Sequence, residues 1–373
     1  MIPPFTYQAL PMRVVFGVGV LAELPAEVDR LGLRRVLVIC SPGHEDTGRR
    51  VADALGDRAA GVLPEARTHV PIEVARRARG RAAVLAADGC VAVGGGSAIG
   101  LGKAIALESD LPVVAVPTTY AGSEMTPVWG LTEGGVKRTG RDARVLPRSV
   151  LYDPELTVGL PPALSAASGM NAVAHAVEGL YAPDATPIVS LMAEEGVRAL
   201  ASALPAVVAD GRDLDARGEA QYGAWLCGAV LAATTMSLHH RLCHTLGGAL
   251  DLPHAQTHAV VLPHVLAHNA PSAPQAVAAL TRALGGTPDP ARALWELAGR
   301  LGAPRSLREL GMAEEDVPRM AALAASGAGG DSYRNPRPVT AAGVDLLLRA
   351  AWTGGPPPPG GSATCLDPTT SST

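Results

Sequence analysis

The hydrophobic positions of this chain change period part-way along. Up to about residue 160, short apolar runs alternate with amphipathic stretches. Residues 35–40 (RVLVIC) read as a buried strand, closed by the turn Ser41-Pro42-Gly43, and 47–55 as a helix. Residues 90–93 (CVAV) are a second strand, entering a glycine turn, and 98–107 follow as a helix. Residues 112–117 (PVVAVP) are a third strand. Continuous apolar strands separated by helices predict a parallel sheet covered on both faces. Beyond Pro161 the spacing becomes helical. Stretches 187–203 and 219–238 are Ala- and Leu-rich at that period, and strand signals nearly vanish. The expectation is an α/β domain over 1–160 and an all-helical domain over 161–353. Two domains suit 373 residues, which exceed one typical core. The stretch from 354 to 373 opens with Gly-Gly-Pro-Pro-Pro-Pro and has no apolar periodicity, so it is expected to be disordered. No internal repeat is evident.

Composition narrows the classes. Apolar residues make up 47% of the chain, enough to build both cores, and the net charge is −4 with no basic stripe, which argues against nucleic acid as a partner. Five scattered cysteines, none in a C-x-x-C pair, argue against a disulfide framework or a cysteine zinc site. No charged segment followed by an apolar core stands at the start, and no apolar run of about 18 residues occurs, so a cytoplasmic protein without a membrane span is expected. Only Lys103 and Lys137 are lysines, against 29 arginines, a habit of GC-rich genomes that is silent on fold but draws attention to those two side chains.

The candidate chemistry starts at Gly94-Gly95-Gly96-Ser97, between a strand and a helix. Glycines let the backbone approach a pyrophosphate, and the first turn of the following helix offers free N–H groups to it. The third spacing departs from G-x-G-x-x-G, since the next glycine is Gly100. The hydroxyls of Thr118, Thr119 and Ser123 follow the third strand and suit phosphate, ribose or nicotinamide. Ser41 ends the first strand, where dinucleotide enzymes commonly carry an acid for the ribose 2′-hydroxyl. A neutral serine does not repel a 2′-phosphate, so NADPH is expected to be accepted alongside NADH.

Seven of the ten histidines lie between His239 and His268. His240 and His244, like Asn171 and His175, are four apart and share a helix face. Gly247-Gly248 should end the helix and turn the chain back, bringing His254 to the same cleft, with His258 four residues on. Asn171, His175, His240 and His254 can thus form a four-point site, with His244 one turn away towards the cofactor. Three imidazoles and a carboxylate would be a convincing metal site. Here the fourth member is an amide. His239, His264 and His268 are expected to be structural or surface residues.

These stretches, GGGSAIGLGKAIAL at 94–107, PTTYAGSEMT at 117–126, MNAVAHAVE at 170–178, HHRLCHTLGG at 239–248 and LPH at 252–254, together resemble the iron-containing alcohol dehydrogenases, a group with a dehydroquinate synthase-like fold. The resemblance covers roughly residues 5–352. It implies an N-terminal dinucleotide-binding domain, a C-terminal helical domain, an active site in the cleft between them, and a homodimer. The family's metal ligands, one Asp and three His, fall on Asn171, His175, His240 and His254, so the Asp-to-Asn departure implies that no metal is required. The similarity is greatest to the branch that reduces the conjugated double bond of maleylacetate to 3-oxoadipate with NADH or NADPH, in aromatic-compound degradation. On that reading His244 and His254 stabilise the enolate and supply the proton, while His175 and His240 position substrate. The small dicarboxylate needs cations, for which Lys103, Lys137 and Arg138 are candidates. The rival expectations are a metal-dependent alcohol dehydrogenase or carbonyl reductase, a lyase of the dehydroquinate synthase type, and a cofactor-binding protein without catalysis.

Overall fold

The computed structural model describes residues 4–134, 136–326 and 334–358, apart from the side chains of Val136 and Lys137. Among the described residues there are eight strands: β1 (Arg13–Phe16), β2 (Val36–Ile39), β3 (Ala59–Leu63), β4 (Gly89–Gly94), β5 (Val113–Pro117), β6 (Val128–Glu133), β7 (Val136–Arg141) and β8 (Ser149–Tyr152). Six of them form one sheet in the order β1-β8-β5-β4-β2-β3, with every neighbouring pair parallel. β6 and β7 form a separate antiparallel hairpin. The helices of this half are α1 (Leu24–Arg30), α2 (Glu45–Leu55), α3 (Ile72–Val84) and α4 (Gly96–Ser109).

Strand alternation builds two cores from one sheet. Leu37 and Ile39 of β2, Cys90 and Ala92 of β4, and Val113 and Ala115 of β5 pack with Ala75 and Ala78 of α3 and Ile99 and Ile105 of α4. The intervening residues, Val36, Val38, Val91, Val93, Val114 and Val116, pack with Val28 of α1 and Val51 and Leu55 of α2. Both faces are therefore apolar, which is why these strands read as continuous hydrophobic runs.

From Pro162 onward the described residues are helical or irregular: α5 (Pro162–Leu180), α6 (Pro187–Ala209), α7 (Leu214–Ala233), α8 (Leu238–Leu250), α9 (His254–Asn269), α10 (Pro274–Ala283), α11 (Pro290–Arg300), α12 (Val317–Ala325) and α13 (Ala341–Thr353). Every residue of α5 from Ser165 to Leu180 is buried. A helix surrounded on all sides must be apolar or small nearly all round, and α5 is, apart from a few polar positions that carry the site. Its core partners include Val197 and Leu200 of α6, Ala224 and Val230 of α7 and Leu262 of α9.

Two boundaries differ from the sequence reading. The helical stretch read as 219–238 is broken, because α7 ends at Ala233 and α8 starts at Leu238. The break exposes backbone N–H groups that a buried carboxylate captures, as described below. The pair Gly247-Gly248 does not end its helix, and α8 continues to Leu250. The reversal comes at Asp251, which adopts the left-handed conformation (φ 54°) of a helix C-terminus. Of the segment read as a disordered tail, residues 359–373 lie outside the described residues.

Candidate active site

The strand order places the cofactor end. After β2 the chain moves outward to β3, then returns to the other side of β2 to lay down β4 and β5. Connections thus leave β2 and β4 in opposite directions, and such a switch point opens a crevice beyond the carboxyl ends of the strands. Ser41 ends β2 and Gly94-Gly95-Gly96-Ser97 end β4, so both flank that crevice. Gly94 has φ 140°, a conformation that side chains rarely adopt. Gly96 starts α4, and the Gly95 carbonyl takes the N–H groups of Ala98 and Ile99, so those of Gly96 and Ser97 precede the first helical acceptor. The Thr118 N–H donates to the Gly94 carbonyl (3.1 Å), tying the end of β5 to the turn. The buried hydroxyls of Thr118 and Thr119 have no protein partner. Glycine backbone, helix N-terminus and two unsatisfied hydroxyls form a set that fits a dinucleotide. Ser41 is held by His44, with Ser41 Oγ 2.8 Å from His44 Nδ1.

The loop after β5 carries this end to the histidines. Gly122 (φ 76°) lies so close to α5 and α7 that a Cβ there would sit 3.3 Å from His175 Nδ1 and 3.1 Å from Gly228 Cα. His175 opens a continuous cluster of six imidazoles. Its ring stacks on His240 at 5.2 Å between centroids. His240 lies 6.3 Å from His244, which stacks on His254 at 6.1 Å. His258 is the hub, 4.4 Å from His254, 4.8 Å from His239 and 5.0 Å from His240. His175, His239, His240 and His258 are buried, whereas His244 and His254 are exposed and form the accessible edge.

Asn171, His175 and Glu178 occupy positions i, i+4 and i+7 of α5 and so share one face. Glu178 is fully buried and accepts the backbone N–H groups of Ser237 (2.9 Å), His239 (2.8 Å) and His240 (3.3 Å) at the start of α8. It serves that helix as an N-terminal anion. The same carboxylate accepts the Nδ1–H of His240 at 2.7 Å. The network assigns a proton to Nδ1, and the opposite nitrogen, Nε2, has no protein partner. Asn171 Oδ1 and His175 Nδ1 are likewise buried without partners. Burial, with His240, His254 and His244 nearby, holds the His175 imidazole well below its ordinary pKa. Burial does the same to His239 and His258. Burial thus favours the neutral form of His175, His239 and His258 on the inner wall.

The four positions of the family's metal set do not make a good ligand sphere for a divalent cation. Asn171 brings no charge to three neutral imidazoles. Among the described residues, one group of three His, Cys, Asp or Glu has its ligand atoms within 4.8 Å of one another, and it is a different one: His239, Cys243 and His258.

The structure changes the reading of several other residues. Lys103, expected to meet substrate or cofactor phosphates, is enclosed by the protein instead of projecting as a free cation. It is 1% exposed, and its Nζ donates to the carbonyls of Ser123 (2.6 Å), Thr126 (2.8 Å) and Val128 (2.8 Å). Burial pulls its pKa down to about 7, yet three carbonyl acceptors suit the ammonium form. Lys103 fixes the loop behind Thr118 and Thr119, and Ser123 belongs to that anchor. Arg138 is exposed on β7, and its side chain makes no hydrogen bond or ion pair among the described residues, while the side chain of Lys137 lies outside them. His239, expected to be structural or at the surface, is buried in the heart of the cluster, which removes only the surface alternative. Glu178, His44 and the central position of His258 were missed. The spacing held a signal for each, since Glu178 is three residues past His175, His44 three past Ser41, and His258 four past His254.

Two family descriptions match the chain, "Iron-containing alcohol dehydrogenase" over residues 11–154 and "Fe-containing alcohol dehydrogenase family, C-terminal" over 165–352. The chain belongs to the iron-containing alcohol dehydrogenase family of NAD(P)-dependent oxidoreductases. It is 55% identical to the maleylacetate reductase of Burkholderia cepacia over 350 residues, 94% of this chain and 98% of that protein. The crystal structure of maleylacetate reductase from Agrobacterium tumefaciens superposes with a TM-score of 0.92 at 49% identity, covering 95% of this chain and all of the other. That of Rhizobium sp. strain MTP-10005 superposes at 0.91 and 49%, covering 95% and 99%.

Proposed function

We propose that this protein reduces the conjugated double bond of maleylacetate to give 3-oxoadipate with NADH or NADPH, without a catalytic metal. The observation that carries the reading is the open pair His244 and His254, on an imidazole wall that lacks the family's carboxylate, in a chain so similar to maleylacetate reductases. When bound, the reduced nicotinamide supplies the hydride to the alkene carbon remote from the ketone. The electron pair of the double bond moves towards the carbonyl, and charge develops on the ketone oxygen. His254 donates a hydrogen bond to that oxygen, where a positioned donor is worth most. His244 delivers the proton to the carbon beside the ketone, completing the reduction. His240, oriented by Glu178, and His175 position the substrate, with the amide of Asn171 beside them. Arg138 and Lys137, on the β6–β7 hairpin, are the cations offered to the substrate carboxylates. Gly94 to Ser97, Thr118 and Thr119 hold the pyrophosphate and nicotinamide end. Neutral Ser41 leaves room for a 2′-phosphate. The reading includes a cytoplasmic homodimer. Among the described residues, no helix is long and apolar enough to cross a membrane.

The test is NAD(P)H oxidation with maleylacetate and with a panel of simple aldehydes, before and after chelation. Turnover of maleylacetate that survives chelation is expected. Preference for an aldehyde, activity lost on chelation and restored by iron or zinc, or product formed without net NAD(P)H consumption would each reject it.

A further inference from the structure

We propose that His239, Cys243 and His258 form a binding site for a soft divalent cation of the zinc class, separate from the position where the family's metal would lie. His239 and Cys243 are four apart on α8 and project from one face. His258 approaches from α9. His239 Nε2 lies 2.9 Å from His258 Nδ1 and 3.7 Å from Cys243 Sγ, and the three ligand atoms are all within 4.8 Å of one another. In a tetrahedral zinc site the ligand bonds of about 2.0–2.3 Å separate neighbouring donors by about 3.3–3.6 Å. The His239–Cys243 edge stands near this value, the Cys243–His258 edge is within 4.8 Å, and an ion entering the trio needs to part the two imidazoles by about 0.4 Å.

The donor chemistry sets this site apart from its neighbour. Two imidazoles and a thiolate are the ligands that zinc and cobalt prefer, and the thiolate supplies the negative charge that Asn171 cannot supply at the family's position. All three residues are almost wholly buried, so the fourth position of a tetrahedral ion falls to a single water that enters with it. The site is nevertheless built for modest affinity. The outward ring nitrogens, His239 Nδ1 and His258 Nε2, have no protein partner. Ligating histidines ordinarily donate that second N–H to a carboxylate or carbonyl, and its loss costs roughly 10–100-fold in affinity. A readily stripped ion is therefore expected, rather than a permanent structural one, and its presence is independent of the reduction proposed above.

Cobalt(II) is the probe, because a thiolate ligand declares itself spectroscopically. Titration of cobalt(II) chloride alone into the full chain, stripped by chelator, should produce a thiolate-to-cobalt charge-transfer band in the near ultraviolet, together with the intense visible bands of a tetrahedral ion. Cys243→Ser should abolish the charge-transfer band, and His258→Gln should weaken cobalt binding at least tenfold. His254→Ala, which removes one of the family's ligand positions, should leave the band intact. No cobalt bound by the wild-type chain, cobalt bound without the band, or a band that persists in Cys243→Ser would each overturn the proposal. The wild-type spectrum decides even if a variant fails to fold. Loss of maleylacetate turnover in a chain that keeps the band would count against the reduction alone.

Discussion

His264 offers a test of how strongly this interior refuses charge. It lies on α9, 3% exposed, with neither ring nitrogen partnered. Burial lowers its pKa from 6.5 to about 4. Below pH 6.5 the unfolded chain binds a proton at this position that the folded protein rejects. Protons bound in the unfolded state then exceed those in the native state, so stability falls as pH drops from about 6.5 towards 4. At pH 5 the unfolded form gains about 2 kcal/mol from this one imidazole, and the folded form gains only about 0.1 kcal/mol. That is a large share of the ~5–15 kcal/mol that separates folded from unfolded domains. Replacing His264 with Leu removes the linkage and leaves every other titrating group in place. Urea unfolding of both proteins at pH 8 and pH 5 measures it. Relative to wild type, His264→Leu should be about 2 kcal/mol more stable at pH 5 than at pH 8, whatever offset the change of shape adds at both. A difference between the proteins that stays constant within about 0.5 kcal/mol across the two pH values would show that His264 is not held neutral, and the argument from burial would fail.

Four further outcomes are expected. Glu178→Gln should lower kcat by about 10²-fold, because a neutral amide has one acceptor oxygen and cannot serve both the N–H groups at the start of α8 and the Nδ1–H of His240. KM should change little and Glu178→Asp should recover part of the loss; steady-state kinetics separates the two parameters. His244→Ala should cut kcat by roughly 10²–10⁴-fold, and near-normal turnover would remove it as the proton donor. Lys103→Met leaves three buried carbonyls without their donor and should destabilise the protein by about 3 kcal/mol or more, read from urea midpoints, while weakening cofactor binding measured by fluorescence titration. Ser41→Asp should raise KM for NADPH at least tenfold, through repulsion of the 2′-phosphate, and leave KM for NADH within about threefold. A wild-type preference for NADH above about a hundredfold would contradict the cofactor reading itself.

Much of the frame was legible in the linear pattern because it is local. β2, β4 and β5 are buried on both faces and announce themselves as unbroken apolar runs. β3 (AAGVL) opens with three small residues, β1 (RVVF) begins on an arginine and is nowhere fully buried, and β8 (SVLY) has polar groups at both ends, so none stands out as an apolar run. The β6–β7 hairpin mixes charge and glycine and is paired by register, which no run of residues reveals. At the site, the glycine turn and the i, i+4 pairs Asn171–His175 and His240–His244 follow from spacing along one element.

Tertiary structure decided the roles that depend on which element faces which. Lys103 looks like a free cation in the chain, and only the fold shows its ammonium enclosed by the carbonyls of residues 123–128. Glu178 looks like a surface acid at the end of an apolar helix. The break between α7 and α8 brings three bare N–H groups and His240 to it, converting it into the group that orients the imidazole. His239 and His258 sit nineteen residues apart and become hydrogen-bonded partners only because Asp251 reverses the chain. Period and composition are properties of neighbours along the backbone, so the sequence by itself determined the layers and the kinds of chemistry available. The partner of each buried charge is set by long-range packing that satisfies desolvated polar groups, and that only the folded molecule decides.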